Sequence, residues 1–202
     1  MIVDRQSRFI VAHASGRREE ALASEAIAKV HARSGGQPVG WCSDGWWAYP
    51  EAIRRTYRQP VRTGRPGRPP LRVPEGLSLT QTIKHRDEHG RLLEVETRAA
   101  IGAPIEHPVP VHIERLNGVL RDRLASLTRK THAFAKSVPT WDALFGVVVF
   151  EHNWLRPHPA LSQPSTTPGR RYERRTPAMA IGLSDHRWSW REFLTTKPTV
   201  SS

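Results

Sequence analysis

A chain of 202 residues, 38% apolar and 25% charged, can bury one substantial core with room for an appendage, and nowhere approaches the roughly 20 consecutive apolar residues of a membrane-spanning helix. Its net charge of +12 and pI near 11.1 favour a polyanionic partner, nucleic acid ahead of an anionic membrane surface. Cys42 is the only cysteine, which excludes an internal disulfide and a cysteine-based zinc site, and the start of the chain lacks the plan of a signal peptide.

Taken in order, residues 2–3 and 9–12 read as two short strands, and Asp4 ends the first apolar run. Gly16 and Arg17 lead into a helix that ends near His31, with Leu22, Ala26, Ile27 and Val30 on its apolar side and Ser34-Gly35-Gly36 as its stop. Residues 38–42 form a strand-type run closed by Ser43-Asp44-Gly45. Strand, helix, strand, with a carboxylate at the end of each strand, is an α/β arrangement, and ligands of such sheets gather at the carboxyl ends of parallel strands. Asp44 is equally well an Asp-Gly turn residue. Trp46, Trp47 and Tyr49 can stack on bases, although core packing is the commoner use of such residues. A further short helix runs from Pro50 to Tyr57.

Between residues 54 and 74 arginines alternate with prolines. Proline at this density excludes helix and sheet interior, and mutual repulsion extends the chain. The stretch Gly64-Arg65-Pro66-Gly67-Arg68-Pro69-Pro70 resembles an AT-hook, a flat strand that lies in the narrow minor groove of A·T-rich DNA. Arg62, Arg65 and Arg68 are candidates for DNA contact, whether to the groove or to phosphates alone. Residues 77–84 and 91–101 then alternate apolar and polar side chains on either side of Asp87-Glu88-His89-Gly90, the pattern of a hairpin with one face buried.

The spacing of Ile113, Leu116, Leu120, Leu124 and Leu127 predicts an amphipathic helix. Glu114 sits in its first turn, one position off the stripe, where it complements the helix dipole or points into a cleft. Asn117 and Arg121 share its side of the helix. Thr140 is placed to cap a second helix, 141–154, that is apolar nearly all round and so expected to be buried. From 162 to 176 the chain is polar, basic and rich in proline, an arm before a short tail carrying Trp188, Trp190 and Phe193.

Three carboxylates, Asp4, Asp44 and Glu114, therefore stand at strand ends and on a helix of a basic protein. Oxygen donors of this kind select Mg²⁺ or Mn²⁺, and two such ions can activate one oxygen and stabilise another at a phosphodiester. The runs Asp4-Arg5-…-Phe9-Ile10-Val11, Ser43-Asp44-Gly45-Trp46-…-Tyr49 and Ile113-Glu114-Arg115-Leu116-Asn117-…-Leu120-Arg121 resemble the three signatures of DDE insertion-sequence transposases, in the superfamily of retroviral integrases. Arg129-Lys130-Thr131-…-Phe134-…-Lys136-Ser137, Asn153-…-Arg156-Pro157-His158 and Arg175-Thr176-Pro177-Ala178-Met179-…-Gly182-Leu183 are similar to segments of one bacterial branch.

The resemblance implies a ribonuclease H-like fold: a mixed central sheet flanked by helices, with the arginine–proline linker (59–76) and the hairpin inserted. It implies a catalytic domain over 1–161 and a basic arm and tail over 162–202. It further implies Mg²⁺- or Mn²⁺-dependent cleavage of element ends and strand transfer into target DNA, by a homodimer when active, in a bacterial cytoplasm at the nucleoid. Asp4, Asp44 and Glu114 would be the catalytic metal ligands, Asn117 and Arg121 would support those ligands or face DNA, and Arg115 and Lys130 would contact DNA. Few apolar residues precede Asp4, so the expectation is an N-terminally truncated copy whose DNA-recognition segment is separate or missing. The rivals are an inactive remnant that only binds DNA, and a nuclease of the same fold without strand transfer.

Overall fold

The computed structural model describes the chain apart from residues 17–18, 63, 65, 109–110, 128–136 and 198–202, and apart from the side chains of 111, 112 and 127. It is a mixed α/β structure with a mixed sheet and flanking helices. Two compact units make it up: Met1 with 12–116, and 2–11 with 117–202.

The chain opens with β1 (Ile2–Val3) and β2 (Ile10–Ala12), which form a two-stranded sheet of their own. A tight turn joins them: the amide of Asp4 donates to the carbonyl of Phe9 (2.8 Å) and that of Arg8 to the carbonyl of Asp4 (3.0 Å). Arg8 takes a left-handed conformation there, φ 63°. The expected central sheet thus holds, among the described residues, no β1 strand.

Helix α1 (Glu20–Arg33) buries Ala23, Ala26, Ile27 and Val30. It stops where anticipated: Gly36, at φ 75°, donates its amide to the carbonyl of His31 (2.8 Å), a left-handed ending that glycine adopts without steric cost. Strand β3 (Gly40–Asp44) follows, then α2 (Ala48–Tyr57), which buries Ala48, Ala52, Ile53 and Tyr57. Two-residue strands β4 (Gln59–Pro60) and β5 (Leu71–Arg72) pair antiparallel and pinch the base of the proline-rich segment. That segment is consequently a closed loop rather than a free extended chain. Arg54 and Arg55 are not part of it. They lie on α2, where Arg54 donates to the carbonyl of Ala100 (2.7 Å) and Arg55 pairs with Glu20 (3.0 Å).

The first unit is built on β3, β6 (Ser78–Arg86) and β7 (Leu92–Ile101). β3 runs parallel to β6, and β6 antiparallel to β7. Ala23 and Ile27 of α1 and Ala48, Ala52, Ile53 and Tyr57 of α2 close over Leu77, Leu79 and Ile101 as one core. The hairpin does not bury one face evenly. Leu79 to Thr82 are buried, odd and even positions alike, whereas 84–86 and 91–99 are exposed. The base is covered on one side by the helices. On the other, Ile105 donates its amide to Thr80 Oγ1 (2.9 Å) and Thr82 Oγ1 donates to the carbonyl of Pro108 (2.8 Å). The far half projects beyond both covers.

Helix α3 (Val111–Arg123) realises the leucine stripe with Leu116 and Leu120 buried, and Leu124, just past its end, is buried too. The division between the units falls between Leu116 and Asn117. In the second unit, α4 (Val138–Phe150) is capped by Ser137, whose hydroxyl accepts from the amide of Thr140 (3.3 Å). Ser137 rather than Thr140 is therefore the cap, because Pro139 fits the first turn and needs no amide partner. The helix buries Phe145 and Val148 but exposes Leu144 and Val147, so its burial is one-sided. A π turn, Glu151–Leu155, continues it. Short β8 (Gln163–Pro164) and β9 (Tyr172–Glu173) pair within the expected arm. Then α5 (Pro177–Ala180) and α6 (Trp190–Thr195) complete the chain, Phe193 stacking on Phe150 at 4.1 Å between ring centroids.

Candidate functional site

Asp44 is the last residue of β3, and its register partner is Thr82 on β6. Partnered residues point to the same face, so Asp44 shares a face with Thr82 and with Lys84 two positions on. Its Oδ1 accepts from the amide of Trp46 (3.2 Å), the local bond of an Asx turn. The carboxylate is nevertheless exposed. The turn is locked from below by Gln81, which is fully buried. Its Nε2 donates to the carbonyls of Asp44 (3.0 Å) and Trp46 (3.2 Å), and its Oε1 accepts from Arg98 (3.2 Å). Gly45 is required at this point: a Cβ there would come within 2.9 Å of Ile83 Cγ1. Trp46 packs edge-on to Tyr49 at 5.0 Å, while Trp47 is 69% exposed.

Glu114, on the first turn of α3, is exposed and has a partner that the sequence did not suggest. Its Oε1 lies 2.5 Å from Lys84 Nζ. Asp44 and Glu114 thus stand over neighbouring positions of β6, on one face of one sheet: Asp44 through its pairing with Thr82, Glu114 through Lys84. Asp4 belongs to the other unit. Its Oδ2 accepts from the amide of Ser7 (2.8 Å) and from the Ser7 hydroxyl, so it holds the β1–β2 turn.

The expected DNA-facing residues are spread over both units. Arg62 and Arg68 are exposed on the closed loop, and Arg115 is exposed on α3 beside Glu114. Arg121 is exposed and Asn117 half-buried, both in the second unit. Arg65 and Lys130 lie outside the described residues.

The residues Asn153 to His158 carry structure. Asn153 is buried, and its side chain acts as a strand mimic: Oδ1 accepts from the amide of Ile10 (2.9 Å) and Nδ2 donates to the carbonyl of Ile10 (3.1 Å). His152 Nε2 hydrogen-bonds the carbonyl of Arg8 (2.9 Å). Burial lowers the pKa of His152, and burial with the charge of Arg8 lowers that of His158. Arg123 and Arg156 both pair with Glu151, each at 2.9 Å.

Among the described residues no group of three or more His, Cys, Asp or Glu side chains is gathered to hold a metal ion. Asp44 and Glu114 are oxygen donors of the type Mg²⁺ and Mn²⁺ select, but Glu114 already holds an ammonium. Sequence reasoning missed Gln81, Lys84 and Arg98. All three sit in an alternating strand pattern, and nothing local marks which polar position is buried under the Asp44 turn, as Gln81 is, or which reaches Glu114, as Lys84 does. No family model, curated protein or solved structure matches the chain.

Proposed function

We propose that this chain acts on DNA as a transposase of the DDE type, with a ribonuclease H-like sheet, cutting a phosphodiester and joining the freed 3′ end to target DNA. The observation that carries this reading is the placement of Asp44 and Glu114 on one sheet face, over neighbouring positions of β6, at the carboxyl end of β3. That end of a parallel strand is where α/β sheets bind ligands. The basic charge of the chain supplies the attraction for DNA. Asp44 and Glu114 would be the residues that hold Mg²⁺ or Mn²⁺, whose charge would activate one oxygen and stabilise another at the phosphodiester.

Asp44→Ala and Glu114→Ala are each expected to abolish Mg²⁺-dependent nicking of a DNA carrying terminal inverted repeats, while binding of that DNA stays within about twofold. Wild-type nicking in either variant would remove the reading. A second reading is a chain that binds DNA without cutting it, and the Lys84–Glu114 ion pair favours it. It predicts no nicking in the wild type. Joined products in the same assay distinguish a transposase from a nuclease of the same fold.

A further inference from the structure

Strand β7 is a long edge of the sheet. It pairs with β6 on one side, and among the described residues no strand lies on the other. Residues 92–99 are all exposed, Leu93 at 69% and Val95 at 47%. Such an edge is a template for another strand, and proteins commonly block theirs with proline, a bulge or a cover. β7 has no proline, and its irregularities in register leave 94–99 as a regular stretch between them.

Charge indicates what kind of strand fits there. The chain carries +12 in all, yet between residues 84 and 98 Lys84, Arg86, Arg91 and Arg98 are balanced by Asp87, Glu88, Glu94 and Glu96. This hairpin does not share the attraction of the rest for a polyanion, and it does not repel a second copy. In an antiparallel pair related by a two-fold axis, opposed residues share a face, and their numbers add to twice that of the residue on the axis. An axis at Glu94, Glu96 or Arg98 would set that charge against itself. An axis at Val95 would oppose Glu94 to Glu96 twice. An axis at Thr97 opposes Glu96 to Arg98 twice and Val95 to Ala99 twice, with no like-charged pair.

We propose that β7 pairs with β7 of a second copy, antiparallel about Thr97, so that the two sheets become continuous in a homodimer. Glu96 and Arg98 are already held on their shared face by His85 (3.0 Å) and Gln81 (3.2 Å), which orders both side chains before association. This pairing is independent of whether the chain cleaves DNA.

The test is sedimentation equilibrium of the full chain without DNA, for wild type, Glu96→Arg, Arg98→Glu, the double exchange, and an equal mixture of the two single variants. The wild type is expected to dimerise. Each single exchange gathers like charges at the junction and weakens the dimer roughly tenfold or more. The double exchange restores it. So does the mixture, in which one chain brings only positive and the other only negative charges to the junction. The bonds of Glu96 to His85 and of Arg98 to Gln81 lie within each chain, so mixing cannot restore them once a substitution has removed them. A wild type that stays monomeric at every concentration, single variants that dimerise as well as wild type, or a mixture that remains monomeric would overturn the Thr97 register.

Discussion

Lys84 and Gln81 set how the carboxylates of the first unit stand, one by pairing with Glu114 and the other by fixing the turn after Asp44. Neither belongs to a motif, since each acts on a partner remote in the chain. Asp44 accepts the Trp46 amide of an Asx turn and is still exposed, so the turn does not bury its carboxylate. His152 bears on stability. Burial holds its folded pKa below the ordinary 6.5, with His158 and Arg123 acting in the same direction and the bond to the Arg8 carbonyl opposing. The unfolded chain therefore takes up a proton that the folded chain resists. The stability this neutral histidine allows is fully present above about pH 6.5 and is lost as pH falls toward the folded value. Denaturant midpoints at about pH 7.5 and about pH 5 are expected to differ, and His152→Gln, which retains an N–H for Arg8, is expected to narrow the gap. An unchanged gap would clear His152 of the role. His158 has the same sign of shift, so the narrowing is partial.

At the scale of elements, the leucine stripe of α3 and the glycine stop of α1 were legible because each is a local pattern with one geometric solution. The burial of α4 was not. Its composition is apolar all round, but the described structure covers only the side carrying Phe145 and Val148. The hairpin misled in the other direction. Its alternation reads as one buried face, yet burial follows distance along the strands, because the covering helices and the segment 103–108 reach only its base. Strand β2 is held to the π turn by the two hydrogen bonds of Asn153 to Ile10. Asn153→Ala leaves a buried amide and a buried carbonyl of Ile10 without partners, and is expected to destabilise the chain by about 2–4 kcal/mol. Equilibrium denaturation measures this, and a change within about 0.5 kcal/mol would mean that solvent replaces both bonds.

For the whole molecule, charge is the dominant fact, and the closed loop 61–70 carries two of the arginines that stand clear of helix and sheet. Arg62 and Arg68 are exposed there, while Arg54 and Arg55 already serve contacts on α2. Joining the loop ends across β4 and β5, with 61–70 replaced by a short glycine turn, is expected to weaken DNA binding and to flatten the dependence of log affinity on log salt, by about 0.9 for each phosphate the loop neutralises. An unchanged slope would show that the loop does not touch phosphates.

By itself the sequence determined the charge, the helices with a regular stripe and the glycine stops. These are properties of composition or of neighbours within a few positions, where covalent geometry leaves few choices. Tertiary structure alone decided that Asp44 and Glu114 share a sheet face, that Lys84 pairs with Glu114, that Asp4 belongs to the other unit, and that no described strand pairs with the outer edge of β7. Each of these depends on pairings between segments distant in the chain, and the free energy of such a pairing resides in contacts that no short window of sequence contains.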